Sequence, residues 1–180
     1  MMRLVDSALR PAARPRNRVR PMLTLALFLT VGACGNPEPR SLDALVQREG
    51  RYLDPEDFRP YSGPVFSTYQ DDPEAVEMSA SLVNGRFEGP YERFYPDGSV
   101  FSRGAYQEGV WHGPFESFYQ DGAPWMEGRY EEGALDGPYV AYGEDGSVQE
   151  RGTYASGSPC GTWTMDGEEE AHPPCPADGG

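Results

Sequence analysis

Glycine stands at positions 89, 113, 137 and 161, spaced by 24 residues each time, and an earlier Gly63 lies 26 before Gly89. Further columns keep the same register: Asp97, Asp121 and Asp145, each followed by glycine; Gly104, Gly128 and Gly152; Tyr106, Tyr130 and Tyr154; Gly109, Gly133 and Gly157. Self-similarity at one period through so many columns means that residues 61–165 are copies of one small unit, each able to bury its apolar side only against its neighbours. That excludes most globular architectures before any single residue is interpreted.

Within a unit, the run after the Gly-Pro is aromatic-rich. Tyr91, Phe115, Tyr139 and Trp163 share one column, and Phe94, Phe118 and Tyr142 another. Such a run suits a strand. The following Asp-Gly supplies positive φ for a hairpin turn. A second strand then runs to the Tyr column, as in "SVFSRGAY" from Ser99, and a glycine-bearing turn such as "QEGVWHG" leads to the next unit. Each unit is expected to be a β-hairpin, and the chain an all-β, elongated antiparallel meander of stacked hairpins forming a single domain. Side chains alternate along a strand, so the two aromatic columns fall on opposite faces, and only stacking can cover them. Pro90, Pro114 and Pro138 open their strands, where a missing N–H is tolerated. Nineteen of the chain's 22 aromatic residues lie between 61 and 165, which assigns most of them to packing. The first unit is irregular, its two extra residues falling near Asp71–Glu74 at the hairpin loop. The last is cut to one strand, "GTWTM", before an acidic Pro/Gly-rich tail over 166–180 that reads as a cap or as disorder.

Ahead of the array, residues 1–20 carry six arginines and one aspartate, and an apolar run from Met22 to Val31 ends in small residues before Cys34. This is a basic region, a short apolar region and a processing site. The run is about half the ~20 residues of a membrane-spanning helix, so it is not expected to persist as a span. "VGAC" at 31–34 resembles a bacterial lipobox, in which cleavage before the cysteine is followed by acylation of its thiol. The resemblance implies a signal peptide over 1–33, lipidation of Cys34, and location in the cell envelope, with Gly35 compatible with the outer membrane. An ordinary secretory cleavage near Ala33 would instead leave Cys34 a free thiol. Residues 34–40 read as a linker and 41–60 as an N-terminal cap. There Ser41 could cap a short helix carrying Leu42, Leu45 and Val46 on one face, but an opening strand pair around "LVQREGRYL" is the reading taken.

Removing 1–33 leaves nine of the 15 arginines against 28 of the 29 acids, a net charge of about −19, and the chain has no lysine. That field repels nucleic-acid phosphates and anionic headgroups, and the arginines are scattered singly in the sequence, so neither is an expected partner. A basic protein is the complementary one. Cys160 and Cys175 form an even pair in an exported chain, which points to a disulfide that pins the tail over the strand of Trp163.

"GPYERFYPDG", "GPFESFYQDG" and "GPYVAYGEDG" make the array similar to bacterial MORN-repeat proteins, and the segment 44–69 resembles the leader of an antitoxin-annotated branch of that family. The resemblance covers about 125 of the 147 residues that follow the signal. It implies a membrane-associated scaffold, a dimerisation strip or a binding module, with toxin neutralisation as a second possibility; no catalytic domain accompanies the repeats.

The inventory for chemistry is thin. His112 and His172 are the only histidines. His112 precedes Gly113 at a variable position filled elsewhere by Glu88, Asp136 and Cys160, so no catalytic triad is expected. The His and Cys positions lack zinc-knuckle spacing, and the acidic turns lack a dedicated calcium loop. No enzyme activity, cofactor or metal is therefore assigned. Candidate partner contacts are the residues that break column identity: Arg93, Arg103, Trp125 and Arg129. Trp125 stands where Phe101 and Gln149 stand in neighbouring units.

Overall fold

The computed structural model describes residues 37–176; the signal segment and Cys34 lie outside the described residues. Four long hairpins follow one another, pairing Gly63–Thr68 with Val76–Val83, Gly89–Phe94 with Val100–Gln107, Gly113–Phe118 with Pro124–Glu131, and Gly137–Tyr142 with Val148–Ala155. They join edge to edge into one 14-stranded sheet in chain order. All its pairings are antiparallel except that of Arg40–Ser41, which runs parallel to the strand Gly63–Thr68. The fold is thus all-β and an open meander, as the aromatic and turn columns lead one to expect.

Two kinds of turn alternate along it. At the Asp-Gly edge the Gly98 N–H donates to the Tyr95 carbonyl (2.9 Å) and the Tyr95 N–H to the Ser99 carbonyl (2.8 Å), enclosing a three-residue loop with Gly98 left-handed at φ +84°. At the opposite edge Glu108 (φ +51°) and Gly109 (φ +89°) form a two-residue turn of the primed kind, whose twist matches the strands. After this second turn the chain makes a two-residue strand, Val110–Trp111, then bends at Gly113, whose φ of +88° explains why glycine opens each Gly-Pro strand. The bend carries the chain along the same neighbour, Val100–Gln107, from its end, where Trp111 pairs with Tyr106, to its middle, where Ser117 pairs with Ser102.

Each long hairpin also holds one extra residue. Phe118 pairs with Pro124 and Ser117 with Met126, leaving Trp125 as a bulge; Glu77, Phe101 and Gln149 are the equivalent residues of the other hairpins.

The interior begins at the N-terminal end, where Leu45, Val65 and Leu82 are buried against Leu42, Tyr52, Tyr61, Ala80 and Phe87. Both readings of residues 41–53 are realised in part. Ser41 accepts from Asp43 and caps a three-residue 3-10 turn, Leu42–Ala44, while Val46–Arg48 and Arg51–Leu53 form the expected strand pair. An aromatic ladder continues from this cluster along the same face, through Phe87, Tyr106, Trp111 and Tyr130, with Tyr91 and Phe115 edge-on to it. Burial holds the Tyr106 hydroxyl up at about 12.

The tail departs from the boundary read at 165. Glu168–Ala171 adds a further strand to Ser158–Met165, because an Asp166-Gly167 turn repeats the primed geometry of its predecessors. Cys160 and Cys175 are joined by a disulfide, and the Gly161 N–H donates to the Pro173 carbonyl (2.8 Å), so the tail returns over its own strand. Among the described residues no helix is long and apolar enough to cross a membrane.

Candidate functional site

Strand pairing sorts the side chains onto two faces. Tyr91 lies opposite Gly104, Phe115 opposite Gly128 and Tyr139 opposite Gly152 on the ladder face. These glycines leave room for rings folding back over the sheet. A Cβ at Gly104 would lie 2.6 Å from the Trp111 ring, and one at Gly152 2.1 Å from Trp163. A row of small or flexible residues, Met78, Ser102, Ser117 and Ala141, is buried beside the rings. The face is closed further by tyrosine hydroxyls that reach the next hairpin: Tyr69 donates to the Phe94 carbonyl (2.5 Å), Tyr95 to Phe118 (2.9 Å) and Tyr119 to Tyr142 (2.8 Å). Gly143 stands where the fourth tyrosine of this series would be, so the last hairpin lacks the link.

The opposite face carries the exposed prolines and a cross-strand row of charges. In register, Glu92 faces Arg103, Arg103 faces Glu116, Glu116 faces Glu127, Glu127 faces Val140, and Val140 faces Arg151. Arg103 pairs with Glu116 at 2.5 Å and lies over the Phe118 ring. Glu116 and Glu127 are directly opposed like charges, where the preceding hairpin places an oppositely charged pair, Glu92 and Arg103. Such opposition lowers sheet stability. Arg103 offsets Glu116, while Glu127 makes no ion pair among the described residues.

The four residues singled out from column breaks do not form one surface. Arg93 lies on the ladder face, ion-paired to Glu77 (2.6 Å) with its guanidinium over Phe101. Trp125, the bulge residue, packs its ring 6.0 Å from that of Phe101 and 6.2 Å from that of Tyr119, and is half-buried. Its size is used in packing. Arg103 and Arg129 share the charged face, where Arg129 approaches Glu131 at 3.5 Å. Glu116 and Glu127, missed by column-break reasoning, become conspicuous only when the hairpin register places them opposite each other.

At three of the four Gly-Pro positions the preceding residue has a structural task. Ser62, Glu88 and Asp136 accept the N–H of the first turn residue of their own unit, from Asn84 (2.9 Å), Glu108 (2.8 Å) and Ser156 (2.8 Å). His112 occupies the same column with its Nδ1 3.6 Å from Glu131. His172, in the tail, packs edge-on to Trp163. Among the described residues no group of three or more His, Cys, Asp or Glu converges as metal ligands would. At the Asp-Gly edge, Asp97 accepts from the Ser99 hydroxyl (2.6 Å), Gln120 (2.7 Å) and the Ser99 N–H (2.9 Å), which together lower its carboxyl to about 2. These turn carboxylates are therefore already committed to local hydrogen bonds. No protein-family model matches the chain, and no curated protein is significantly similar to it.

Proposed function

We propose that this protein is a lipid-anchored, non-enzymatic binding scaffold of the bacterial envelope, built from MORN-like hairpins and tethered through acylated Cys34. The observation that carries the reading is the division of labour between the two faces. Rings and tyrosine hydroxyls hold one hairpin to the next on the ladder side, while the row Glu92, Arg103, Glu116, Glu127 and Arg151 is displayed at fixed spacing on the other. A paired backbone presenting charges at no further ordering cost is suited to recognising a protein.

Crosslinking in native membranes followed by affinity capture tests this. One abundant envelope protein should be recovered with the wild-type chain and lost with Cys34→Ala, whereas capture unchanged by that substitution removes anchoring from the proposal. A second reading, neutralisation of a basic toxin, is favoured by the opposed Glu116 and Glu127, whose repulsion a partner's cation would relieve. It requires a toxin that reaches the envelope. It also predicts capture that fades as salt is raised and weakens in Glu127→Gln.

A further inference from the structure

The loop between the strand Arg51–Leu53 and Pro60 carries a residue that the fold does not need. Phe58 is 53% exposed, the only aromatic side chain among the exposed large apolar residues described, and its backbone is left-handed at φ +57°. Glycine or asparagine would occupy that conformation with less strain than a bulky ring. The loop is nonetheless tightly made. The Phe58 N–H donates to the Asp54 carbonyl (2.9 Å), the Asp54 N–H to the Arg59 carbonyl (2.9 Å), and the Glu56 N–H to the Asp54 carboxylate (3.0 Å). Arg48 stacks its guanidinium 5.2 Å from the ring centroid, on the side of the neighbouring strand pair.

Two observations say what this ring faces. Arg40 pairs with Asp54 at the base of the loop (2.6 Å), so the loop sits where the chain arrives from Cys34. Five residues lie between Cys34 and Arg40, six steps of chain that span about 20 Å when fully extended. An acyl anchor at Cys34 therefore holds this loop close to the bilayer surface. Residues 40–60 carry Arg40, Arg48, Arg51 and Arg59 against Asp43, Glu49, Asp54, Glu56 and Asp57, a net charge of −1 in a chain of net charge −14, so this region is repelled by a membrane surface far less than the rest.

We propose that the loop Asp54–Pro60 is a membrane-contact element, in which Phe58 enters the interfacial layer of the bilayer beside the anchor and sets the orientation of the hairpin array. The proposal rests on the reading of Cys34 as acylated. The ring supplies the contact, and Arg48 holds it outward.

The test uses the full mature lipidated chain in phosphatidylcholine vesicles, with and without phosphatidylglycerol, containing lipids brominated near the headgroup end of their acyl chains. Two tryptophan reporters are compared with wild type: F58W, and M165W at an exposed position of the last long strand. The emission added by F58W should be quenched in both vesicle types and that added by M165W should not. Flotation of the protein with unquenched F58W overturns the loop contact and leaves the anchor standing. If Cys34→Ala floats as well as wild type, the anchor reading fails, and F58W quenching in that sample decides the loop separately. Equal quenching of both reporters means the array lies flat and overturns the proposal. So does quenching confined to phosphatidylglycerol, which would assign the contact to headgroup charge, or burial of F58W in native membranes without lipid quenching, which would assign the ring to a protein partner.

Discussion

Gly152 lies beneath Trp163 so closely that no side chain fits between them. A Cβ there would stand 2.1 Å from the indole, whereas one at Gly128 would stand 3.3 Å from Tyr139. Gly152→Ala should therefore cost about 1–3 kcal/mol through overpacking, and Gly128→Ala distinctly less, as read from urea midpoints at an unchanged slope. The glycine column is legible in the sequence as a repeat mark, but its reason, a ring folded back onto the backbone, appears only in three dimensions. Asp97 shows another residue-level effect. Its folded carboxyl, near 2, lies below the ordinary value of 3.8, so its stabilising contribution is present above about pH 4 and disappears as the pH falls through about 2. Asp97→Asn should flatten the loss of thermal stability across that window, and an unchanged acid limb would show that the carboxylate's bonds to Ser99 and Gln120 do not stabilise the fold.

Between elements, the links that matter join one hairpin to the next. Tyr95→Phe and Tyr119→Phe each remove one hydroxyl bond to a neighbouring hairpin and should each cost roughly 1 kcal/mol. Gly143 lacks such a link, so hydrogen exchange should be faster in the last long hairpin than in its predecessors. The end is held instead by the Cys160–Cys175 bond, which closes a separation of 15 residues and contributes about 3 kcal/mol in the chain-entropy model. Cys175→Ser should expose the strand Glu168–Ala171 to proteolysis while leaving the earlier hairpins protected. The pairing of the cysteines was readable from compartment and count; the extra strand was not. Its run of glutamates reads as solvated tail, and only the edge of the preceding strand makes it sheet.

For the molecule as a whole, the net charge of about −19 on residues 34–180 should govern how fast a basic partner of the proposed kind arrives more than how long it stays. Once a partner is captured, raising the salt from low to physiological strength should slow association markedly and change dissociation little. The reverse pattern would place the contact on apolar surface. The same acidity leaves few places where the protein can rest against a membrane, and the N-terminal cap, which together with Arg40 carries a net charge of only −1, is one.

The 24-residue period, the aromatic and glycine columns and the Asp-Gly and X-Gly turns determined by themselves that this chain forms hairpins and that each hairpin needs its neighbours, because each signal is local and repeats. Which residues share a face was decided by the tertiary structure. One bulge per hairpin and one bend at each Gly-Pro shift the register, and those shifts bring Glu116 opposite Glu127 and set Arg93 and Arg103 on opposite sides of the sheet. Arg48 and Phe58, ten residues apart, meet only because a strand pair and a loop fold onto each other. Contacts of that kind depend on register and on where the backbone turns, and neither is written in the identity of any single residue.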